Sequence, residues 1–214
     1  MPTFVTRYLH HHKFIGRIAD FAVDPKNTDR WFVAAASGHI WKTVNNGTTF
    51  EPVFDNYGAY SIGCITIDPN NPQVLWVGSG ENNSQRSVGY GDGVYKTEDG
   101  GKSWKNVGLK ASEHIGKILV DPRNSSVVYV ASQGPLWSAG GERGLYKSVD
   151  GGKTWANVTP SGLPDWSNVT HIEASHFDPA EAWAAVDRHQ MNDYRPYPYR
   201  TRDYGKTWTP LVAA

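Results

Sequence analysis

Apolar and polar positions along this chain follow one ten-residue pattern that occurs four times. Each copy reads aromatic, basic, Ser/Thr, any residue, Asp/Asn, any residue, Gly, any residue, Ser/Thr, aromatic. The copies are Trp41 to Phe50, Tyr95 to Trp104, Tyr146 to Trp155 and Tyr199 to Trp208. Their first residues are separated by steps of 54, 51 and 53 residues. A regular period of this length predicts a repeat architecture in which one supersecondary unit is used four times.

Within each copy, the polar positions lie between two short apolar-aromatic runs, which is the pattern of a β-hairpin. An Asp or Asn side chain there accepts hydrogen bonds from the backbone N–H groups that follow it. Glycine two positions later tolerates the positive φ that such a turn needs. These positions are Asn45, Gly47, Asp99, Gly101, Asp150, Gly152, Asp203 and Gly205. We interpret them as structural residues of hairpin tips and not as catalytic acids.

A second repeated segment precedes each hairpin and ends in an Asp-Pro turn. Its copies are Ile18 to Pro25, Ile62 to Pro69, Ile115 to Pro122 and, with a looser match, Ile172 to Pro179. A further strand pattern follows each turn: Trp31 to Ala36, Val74 to Gly78, Val127 to Ala131 and Ala182 to Val186. With one strand leading into the hairpin and one leaving it, each unit predicts a four-stranded antiparallel sheet, the blade of a β-propeller.

The sequence therefore predicts an all-β fold, a β-propeller array of four blades with the hairpins between the third and fourth strands. We expect an N-terminal arm over residues 1–14 and a single four-blade domain over residues 15–212. The predicted blades span about 15–55, 59–108, 112–159 and 168–212. Four blades either close on themselves or form part of a larger ring. In the second case a homodimer would complete a larger ring, and the sequence leaves both arrangements open.

The ten-residue pattern resembles the Asp box of the bacterial-neuraminidase repeat. Over roughly residues 15–212 the chain looks like the bacterial Asp-box propeller proteins, which are related to the sortilin-type propeller and to xyloglucan-cleaving glycoside hydrolases. That group mixes enzymes, receptors and scaffolds, so the resemblance implies a fold and no single activity. It also favours an extracellular or periplasmic location, although the first residues of this chain lack the apolar region of a secretory signal.

Composition excludes several classes of function. Lys plus Arg and Asp plus Glu are equal at 21 each, so charge gives no indication of a nucleic-acid partner. The chain has no apolar run of eighteen residues and hence no predicted membrane span. Cys64 is the only cysteine, which rules out a disulfide within the chain. We expect it to be a small buried apolar residue, and no pattern predicts a cofactor or a metal ion.

Ligands of propellers usually bind on the face formed by the loops between second and third strands, opposite the Asp-box hairpins. Blades two, three and four have long segments there: 80–92, 134–143 and 188–196. They combine amides, arginines, carboxylates and aromatic rings, as sites for glycans or polypeptides do. The predicted ligand-binding residues are Asn82, Asn83, Arg86, Tyr90, Asp92, Trp137, Arg143, Arg188, Asp193 and Tyr194.

These loops predict a non-catalytic scaffold that binds a glycan or a polypeptide, with Tyr90 and Trp137 stacking on the ligand. One alternative is a glycoside hydrolase acting on a polysaccharide, which needs two carboxyl groups separated by roughly 5–5.5 Å or 6.5–9.5 Å. Glu81 and Asp187 are the candidate acids, but no spacing rule in the sequence selects a pair. The other alternative is a partial propeller that self-associates to complete a ring.

Overall fold

The structure is a computed structural model that describes residues 17–82 and 88–212. It contains four sheets, and each has four antiparallel strands in chain order. Blade one consists of β1 (Ile18–Val23), β2 (Trp31–Ala35), β3 (Ile40–Thr43) and β4 (Glu51–Pro52). Blade two consists of β5 (Ile62–Ile67), β6 (Leu75–Ser79), β7 (Val94–Thr97) and β8 (Lys105–Gly108).

Blade three consists of β9 (Ile115–Val120), β10 (Val128–Ser132), β11 (Gly144–Ser148) and β12 (Ala156–Asn157). Blade four consists of β13 (Asn168–Ala174), β14 (Ala182–Arg188), β15 (Asp193–Thr201) and β16 (Thr209–Pro210). A single 3₁₀ turn, His189–Met191, joins β14 to β15. The predicted fold class, four blades of four antiparallel strands, is confirmed. The boundary of the predicted domain stays a prediction, and the predicted arm over 1–14 lies outside the described residues.

The apolar core lies between successive blades. Strand residues alternate in direction, so each sheet has one face toward the preceding blade and one toward the following blade. Phe32 of blade one packs with Ile65 and Val77 of blade two. The same arrangement places Trp76 against blade three and Tyr129 against blade four. Face-to-face burial of this kind explains why the chain contains so many large aromatic residues.

Cys64 belongs to the core between blades two and three, as expected for a small apolar residue. It is 1% exposed, and burial raises the pKa of its thiol to about 12. A thiol in this state is neutral at physiological pH and is a poor nucleophile.

The four blades form an open arc. The innermost strands pack against each other in chain order, β1 against β5, β5 against β9 and β9 against β13. No packing of similar extent joins β13 back to β1 within residues 17–82 and 88–212. The arc therefore has two end sheets, one in blade one and one in blade four.

The hairpin carboxylates accept hydrogen bonds from residues of their own turns. Asp99 Oδ1 accepts hydrogen bonds from the N–H groups of Lys102 and Ser103, both at 2.9 Å, and from Thr97 Oγ1 at 2.7 Å. Ser103 Oγ donates to Asp99 Oδ2 at 2.6 Å. Asp150 and Asp203 are bonded in the same way. These bonds hold the pKa of Asp99 well below its usual range.

The predicted position of the turn in blade four was wrong. The sequence pattern places Asp178-Pro179 at the turn of blade four. The structure places Ser175 there, because Ser175 N donates to Glu181 O at 2.9 Å just as Asp24 N donates to Arg30 O at 3.0 Å. The hydroxyl oxygen of Ser175 accepts from the N–H groups of residues 177 and 178, at 3.2 and 3.1 Å. A hydroxyl thus replaces the carboxylate, and the repeated segment begins three residues earlier than the Asp-Pro pair suggested.

Candidate functional site on the loop face

The loops between second and third strands meet the linkers between blades at one end of the sheets. Gly80 N donates to Ser61 O at 2.8 Å, and Gln133 N donates to His114 O at 2.9 Å. We call this end the loop face; in the described chain it comprises the loops 36–39, 80–82, 88–93, 133–143 and 189–192 and the linkers 58–61, 109–114 and 160–167. Antiparallel pairing puts the Asp-box hairpins at the opposite end of every sheet.

Glu81 and His114 lie at the junction of blades two and three. Glu81 is 1% exposed, and its carboxylate forms an ion pair with Arg17. His114 is fully buried, and its Nδ1 lies 2.7 Å from the backbone oxygen of Glu81. Because a carbonyl oxygen only accepts, Nδ1 carries the proton in this contact. Burial, with the nearby charge of Arg143, lowers the pKa of His114 to about 4, so the ring is neutral at pH 7.

Asn82 joins the innermost strands of two blades at the same junction. Its side-chain amide donates to Gly63 O at 3.4 Å and to Gly116 O at 3.2 Å. Its backbone oxygen accepts from Gln133 Nε2 at 3.1 Å. These bonds engage the polar groups of Asn82 within the protein. Asn83 and Arg86, two further predicted ligand-binding residues, lie outside the described part of the chain.

Arg143 and Asp92 also have partners within the protein. The Arg143 guanidinium donates to Asn168 Oδ1, to Pro135 O and, at 3.1 Å, to Ser138 O. It therefore fixes the loop of blade three in which it lies. Asp92 accepts a hydrogen bond from the hydroxyl of Tyr95 at 2.6 Å.

The predicted charged residues of blade four form one cluster around Asp193. Arg188 Nη1 lies 3.1 Å from Asp193 Oδ2, and the hydroxyl of Tyr197 donates to the same oxygen at 2.6 Å. Hydrogen bonds from Arg195 and Tyr197 hold the pKa of Asp193 well below its usual range. Asp193 is thus ionised and bonded to several side chains. These bonds hold the loop in place, and an ionised carboxyl group has no proton to donate.

Three predicted aromatic side chains remain open to solvent. Tyr90 is 57% exposed, Trp137 56% and Tyr194 78%. Tyr90 and Trp137 lie in the loops of blades two and three, and Tyr194 is the second residue of β15, at the border of the loop face in blade four. The ring of Tyr90 lies beside the imidazole of His114, with 5.4 Å between ring centroids. The loop face therefore presents one exposed aromatic surface on each of three successive blades.

Buried polar atoms without partners also concentrate on this face. Buried polar groups are normally hydrogen-bonded, so each exception needs an explanation such as a bound water or ligand. Five such side-chain atoms on the loop face or at its border have no hydrogen-bond partner among the residues that the structure describes: Ser112 Oγ, His114 Nε2, Arg143 Nε, Arg188 Nε and Gln190 Nε2. With Nδ1 protonated, His114 Nε2 is an acceptor.

Two hollows are relevant to the location of a site. One, of about 230 Å³, lies on the loop face between the loop of blade three and the linker to blade four, and Arg143, Asp165 and Trp166 contribute to its lining. A larger groove, of about 810 Å³, lies at the opposite end between the hairpins of blades two and three. Lysines 96, 105 and 153 line it, but none of the unpartnered buried atoms does. We therefore place the candidate site on the loop face despite the larger volume of the groove.

The sequence comparison identifies the family. The profile of the Sortilin-Vps10 family, described as sortilin, neurotensin receptor 3, matches residues 92–214, more than half of the chain. The chain belongs to the Sortilin-Vps10 family. The matched region includes three of the four Asp boxes, those of Asp99, Asp150 and Asp203. Membership agrees with the propeller blades described above.

Curated relatives of this family member include enzymes. Xyloglucanase Xgh74A of Acetivibrio thermocellus is 27% identical over 222 aligned positions, which cover 87% of this chain and 24% of the relative. The chain thus spans about a quarter of the length of this relative.

Solved structures show the fold. The GH74 enzyme of Niastella koreensis has a TM-score of 0.68 at 20% identity, covering 89% of this chain and 28% of that one. The Dos1 propeller has a TM-score of 0.65 at 15% identity, covering 94% of this chain and 51% of that one. At these identities the likeness concerns the fold alone. In the part of this family member that the structure describes, no helix is long and apolar enough to cross a membrane.

Sequence reasoning missed several residues on the loop face or at its border: Arg17, Ser61, His114, Gln133 and Trp166. Ser61 and His114 share one signal, because each directly precedes the Ile-Gly pair that opens the first strand of its blade. That position is polar in both blades, which indicates that it lies at the end of the sheets where the loops converge. Trp166 carries no comparable signal, since its linker has no counterpart of equal length in the other blades.

Proposed function

We propose that the loop face is a recognition surface for a polysaccharide and that this chain does not itself catalyse a reaction. The observation that carries the proposal is the exposure of Tyr90, Trp137 and Tyr194 on successive blades. Planar rings stack on the apolar faces of sugar rings, and repetition around the arc matches a ligand that is itself a repeating chain. The unpartnered buried polar atoms at this end of the sheets, such as His114 Nε2 in the ring that lies beside Tyr90, supply hydrogen-bonding capacity for hydroxyl groups.

The carboxylates of the loop face support recognition over catalysis. Five of them, on the loop face or at its border, have a partner within the protein. Glu81 pairs with Arg17, Asp92 accepts from Tyr95, and Asp187 pairs with His189. Glu142 accepts from Ala111 N, and Asp193 is held by two arginines and a tyrosine. A glycoside hydrolase needs one carboxyl group to deliver a proton and a second to act opposite it.

Xyloglucan is the first ligand to test, because the curated relative Xgh74A is a xyloglucanase. It is an uncharged polymer, which fits a face whose charged groups are largely paired internally. A polypeptide ligand remains the other class that exposed aromatic residues would accept. A peptide library screened in the same assay separates the two classes.

Binding of xyloglucan oligosaccharides by calorimetry tests the proposal. Substituting Trp137→Ala or Tyr194→Ala removes a stacking surface, and we expect the Kd to rise about tenfold, equivalent to about 1.4 kcal/mol. Val149→Ala is the control, because Val149 is 64% exposed in the hairpin of blade three, at the opposite end from Trp137. Equal affinity in the wild type and both aromatic variants would overturn the placement.

Glycoside hydrolysis is the second candidate function, and the xyloglucanase relative favours it. Of the two candidate acids, the Asp187 side chain is 36% exposed and the Glu81 side chain only 2%. Asp187 is therefore the acid that a substrate reaches. Release of reducing ends from xyloglucan by the wild type, lost in Asp187→Asn and retained in Val149→Ala, would favour hydrolysis over simple binding.

We also propose that the open arc completes a ring by self-association. Support comes from the two end sheets, which lack a neighbouring blade within the described chain. The expected mass in solution is that of a dimer.

A further inference from the structure

Successive blades are joined by a contact between an Asp-box glycine and an aromatic ring of the preceding blade. A Cβ added at Gly101 would lie 3.3 Å from the ring of Phe32. At Gly152 it would lie 2.7 Å from Trp76, and at Gly205 3.3 Å from Tyr129. The three ring positions are equivalent, because each is the second residue of its sheet's second strand. The absence of a side chain on the glycine lets each hairpin lie flat on the ring.

The turn after each first strand makes a second repeated contact. Lys26 Nζ donates to Asn70 O at 3.0 Å, and Asn70 Nδ2 donates to Ser125 Oγ at 3.0 Å. Arg123 Nη2 donates to Pro179 O at 2.9 Å. Each donor is two residues after the residue that closes its turn. In blades one to three, the same position therefore binds the turn of the following blade.

Within residues 17–82 and 88–212 no blade follows blade four, which presents both positions on its outer face. Trp183 is its counterpart of Trp76, since Trp183 pairs with Arg200 in register as Trp76 pairs with Lys96. Because Ser175 closes the turn of blade four, Phe177 is the counterpart of Lys26, Asn70 and Arg123. Phe177 is 97% exposed. We call Phe177 and Trp183, with the sheet face around them, the trailing surface.

Blade one presents the other half of the same interface. Phe21 is 62% exposed, whereas its counterparts Ile65, Ile118 and Ile172 are 3%, 0% and 0% exposed against the preceding blade. Val23, on the same face of β1, is 42% exposed. The glycine of this blade, Gly47, is covered by Trp31 of its own sheet, with 2.8 Å from an added Cβ to the ring. We call Phe21, Val23 and Trp31 the leading surface.

We propose that the trailing surface of one copy docks on the leading surface of a second copy, so that two arcs close an eight-bladed ring. This inference rests on the self-association proposed above and adds the surfaces that mediate it. Phe177 would lie against the Lys26 turn of the second copy, and Trp183 against Trp31 beside its Asp box. The contact repeats, between molecules, an interface that each chain makes three times internally.

A second copy is the occupant that the observations favour. The leading faces of blades two to four are buried against the preceding blades of the same chain. The leading face of blade one is therefore the one that a second copy offers to a trailing surface. A head-to-tail interface generates a closed ring when the rotation per unit closes. Two arcs of four blades give a ring of eight, which is within the usual range of propellers.

The mass of the protein in solution, measured by light scattering across a dilution series, tests this proposal. We expect a dimer for the wild type. Phe177→Glu on the trailing surface and Phe21→Glu on the leading surface should each raise the dimer dissociation constant at least tenfold. Both side chains are exposed, so neither substitution disturbs the fold, which circular dichroism verifies. Val149→Glu is the matched control, since Val149 is 64% exposed and lies on neither end sheet.

A cross-linking experiment fixes the polarity of the contact. Lys26→Cys and Phe177→Cys are made in separate chains, and Cys64 stays inert because it is buried. A short bismaleimide should give a covalent dimer when the two variants are mixed and little when either is treated alone. That pattern supports head-to-tail docking.

The contradicting results are distinct. A monomer at every concentration would overturn the self-association itself. A dimer that none of the variants weakens would leave self-association standing and overturn the assigned surfaces. A dimer weakened only by Phe177→Glu, with cross-linking of Phe177→Cys to itself, would show that trailing surfaces pair with each other and would also overturn the inference.

Discussion

Gly152 of the third Asp box lies directly on the indole of Trp76 in the second blade. A methyl group at Gly152 would come within 2.7 Å of the ring, and Trp76 is fully buried. The glycine also has a φ of +88°. Two separate costs therefore oppose any side chain at this position: left-handed backbone strain and a clash with the neighbouring blade.

We predict that Gly152→Ala lowers the free energy of unfolding by more than backbone strain alone explains. Gly140→Ala is the control, because Gly140 has a φ of +89° and no atom of the described residues lies within 4 Å of an added Cβ. The control should cost about 1–2 kcal/mol, and Gly152→Ala about 1–3 kcal/mol more. Urea denaturation of both variants measures the difference. Equal losses of unfolding free energy in the two variants would mean that the interface between blades two and three accommodates the methyl group.

A second prediction concerns the tryptophan that ends each Asp box. Trp155 Nε1 donates to Val107 O of the preceding blade at 2.8 Å, whereas Trp208 Nε1 is buried with no partner in the described part of the chain. Trp155→Phe should therefore destabilise the protein by about 1–2 kcal/mol more than Trp208→Phe, because only the first leaves an acceptor unpaired. Thermal unfolding of the two variants compares them. A larger loss for Trp208→Phe would contradict the assignment.

The Asp boxes should make stability depend on acidic pH. Hydrogen bonds from Thr207 and Thr201 lower the pKa of Asp203 to about 2, against an ordinary value of 3.8. A depressed folded-state pKa contributes stability above the ordinary value that is lost as pH falls from about 4 toward 2. Asp99 and Asp150 act in the same direction.

Asn45 shows that an amide fits this turn, since its Oδ1 accepts from Thr49 N at 2.9 Å. Asp203→Asn should therefore retain most stability at pH 7 and reduce the loss between pH 4 and 2. Unfolding midpoints at pH 7, 4 and 2.5 measure this. If the triple variant with Asn at positions 99, 150 and 203 lost as much stability between pH 4 and 2.5 as the wild type, the Asp-box carboxylates would not be the cause of that loss.

His114 should make the stability of the protein depend on pH in a second, less acidic range. Its pKa is about 4 in the folded protein and 6.5 in the ordinary state, so below pH 6.5 the unfolded chain binds a proton that the fold does not. Stability should fall as pH drops from about 6.5 to about 4, by at most about 3 kcal/mol. His114→Asn, which copies the counterpart Asn168 of blade four, should flatten this part of the curve.

The control for this prediction is His176→Asn, because His176 is exposed on the turn of blade four. Its curve should keep the slope of the wild type between pH 6.5 and 4. The same slope in all three proteins would show that His114 is protonated in the fold.

The sequence determined the repeat, the strand order and the role of the Asp-box residues. These follow from local patterns: Thr97, Asp99, Gly101 and Ser103 form their hydrogen bonds within one hairpin, so a ten-residue window contains the cause of the structure. The turn of blade four shows the limit of such patterns. Ser175 performs the part of an aspartate there, and nothing in the local residue types distinguishes it from any other serine.

Tertiary structure decided which loop residues are open to a ligand. Arg143 and Trp137 lie six residues apart in one loop, and by residue type both suited a ligand site. Packing turned the Arg143 guanidinium inward onto Asn168 and left Trp137 half exposed. Likewise, only the stacking of blades placed His114 in contact with Glu81, 33 residues away. Such contacts join segments far apart in the chain, so a local pattern cannot encode them.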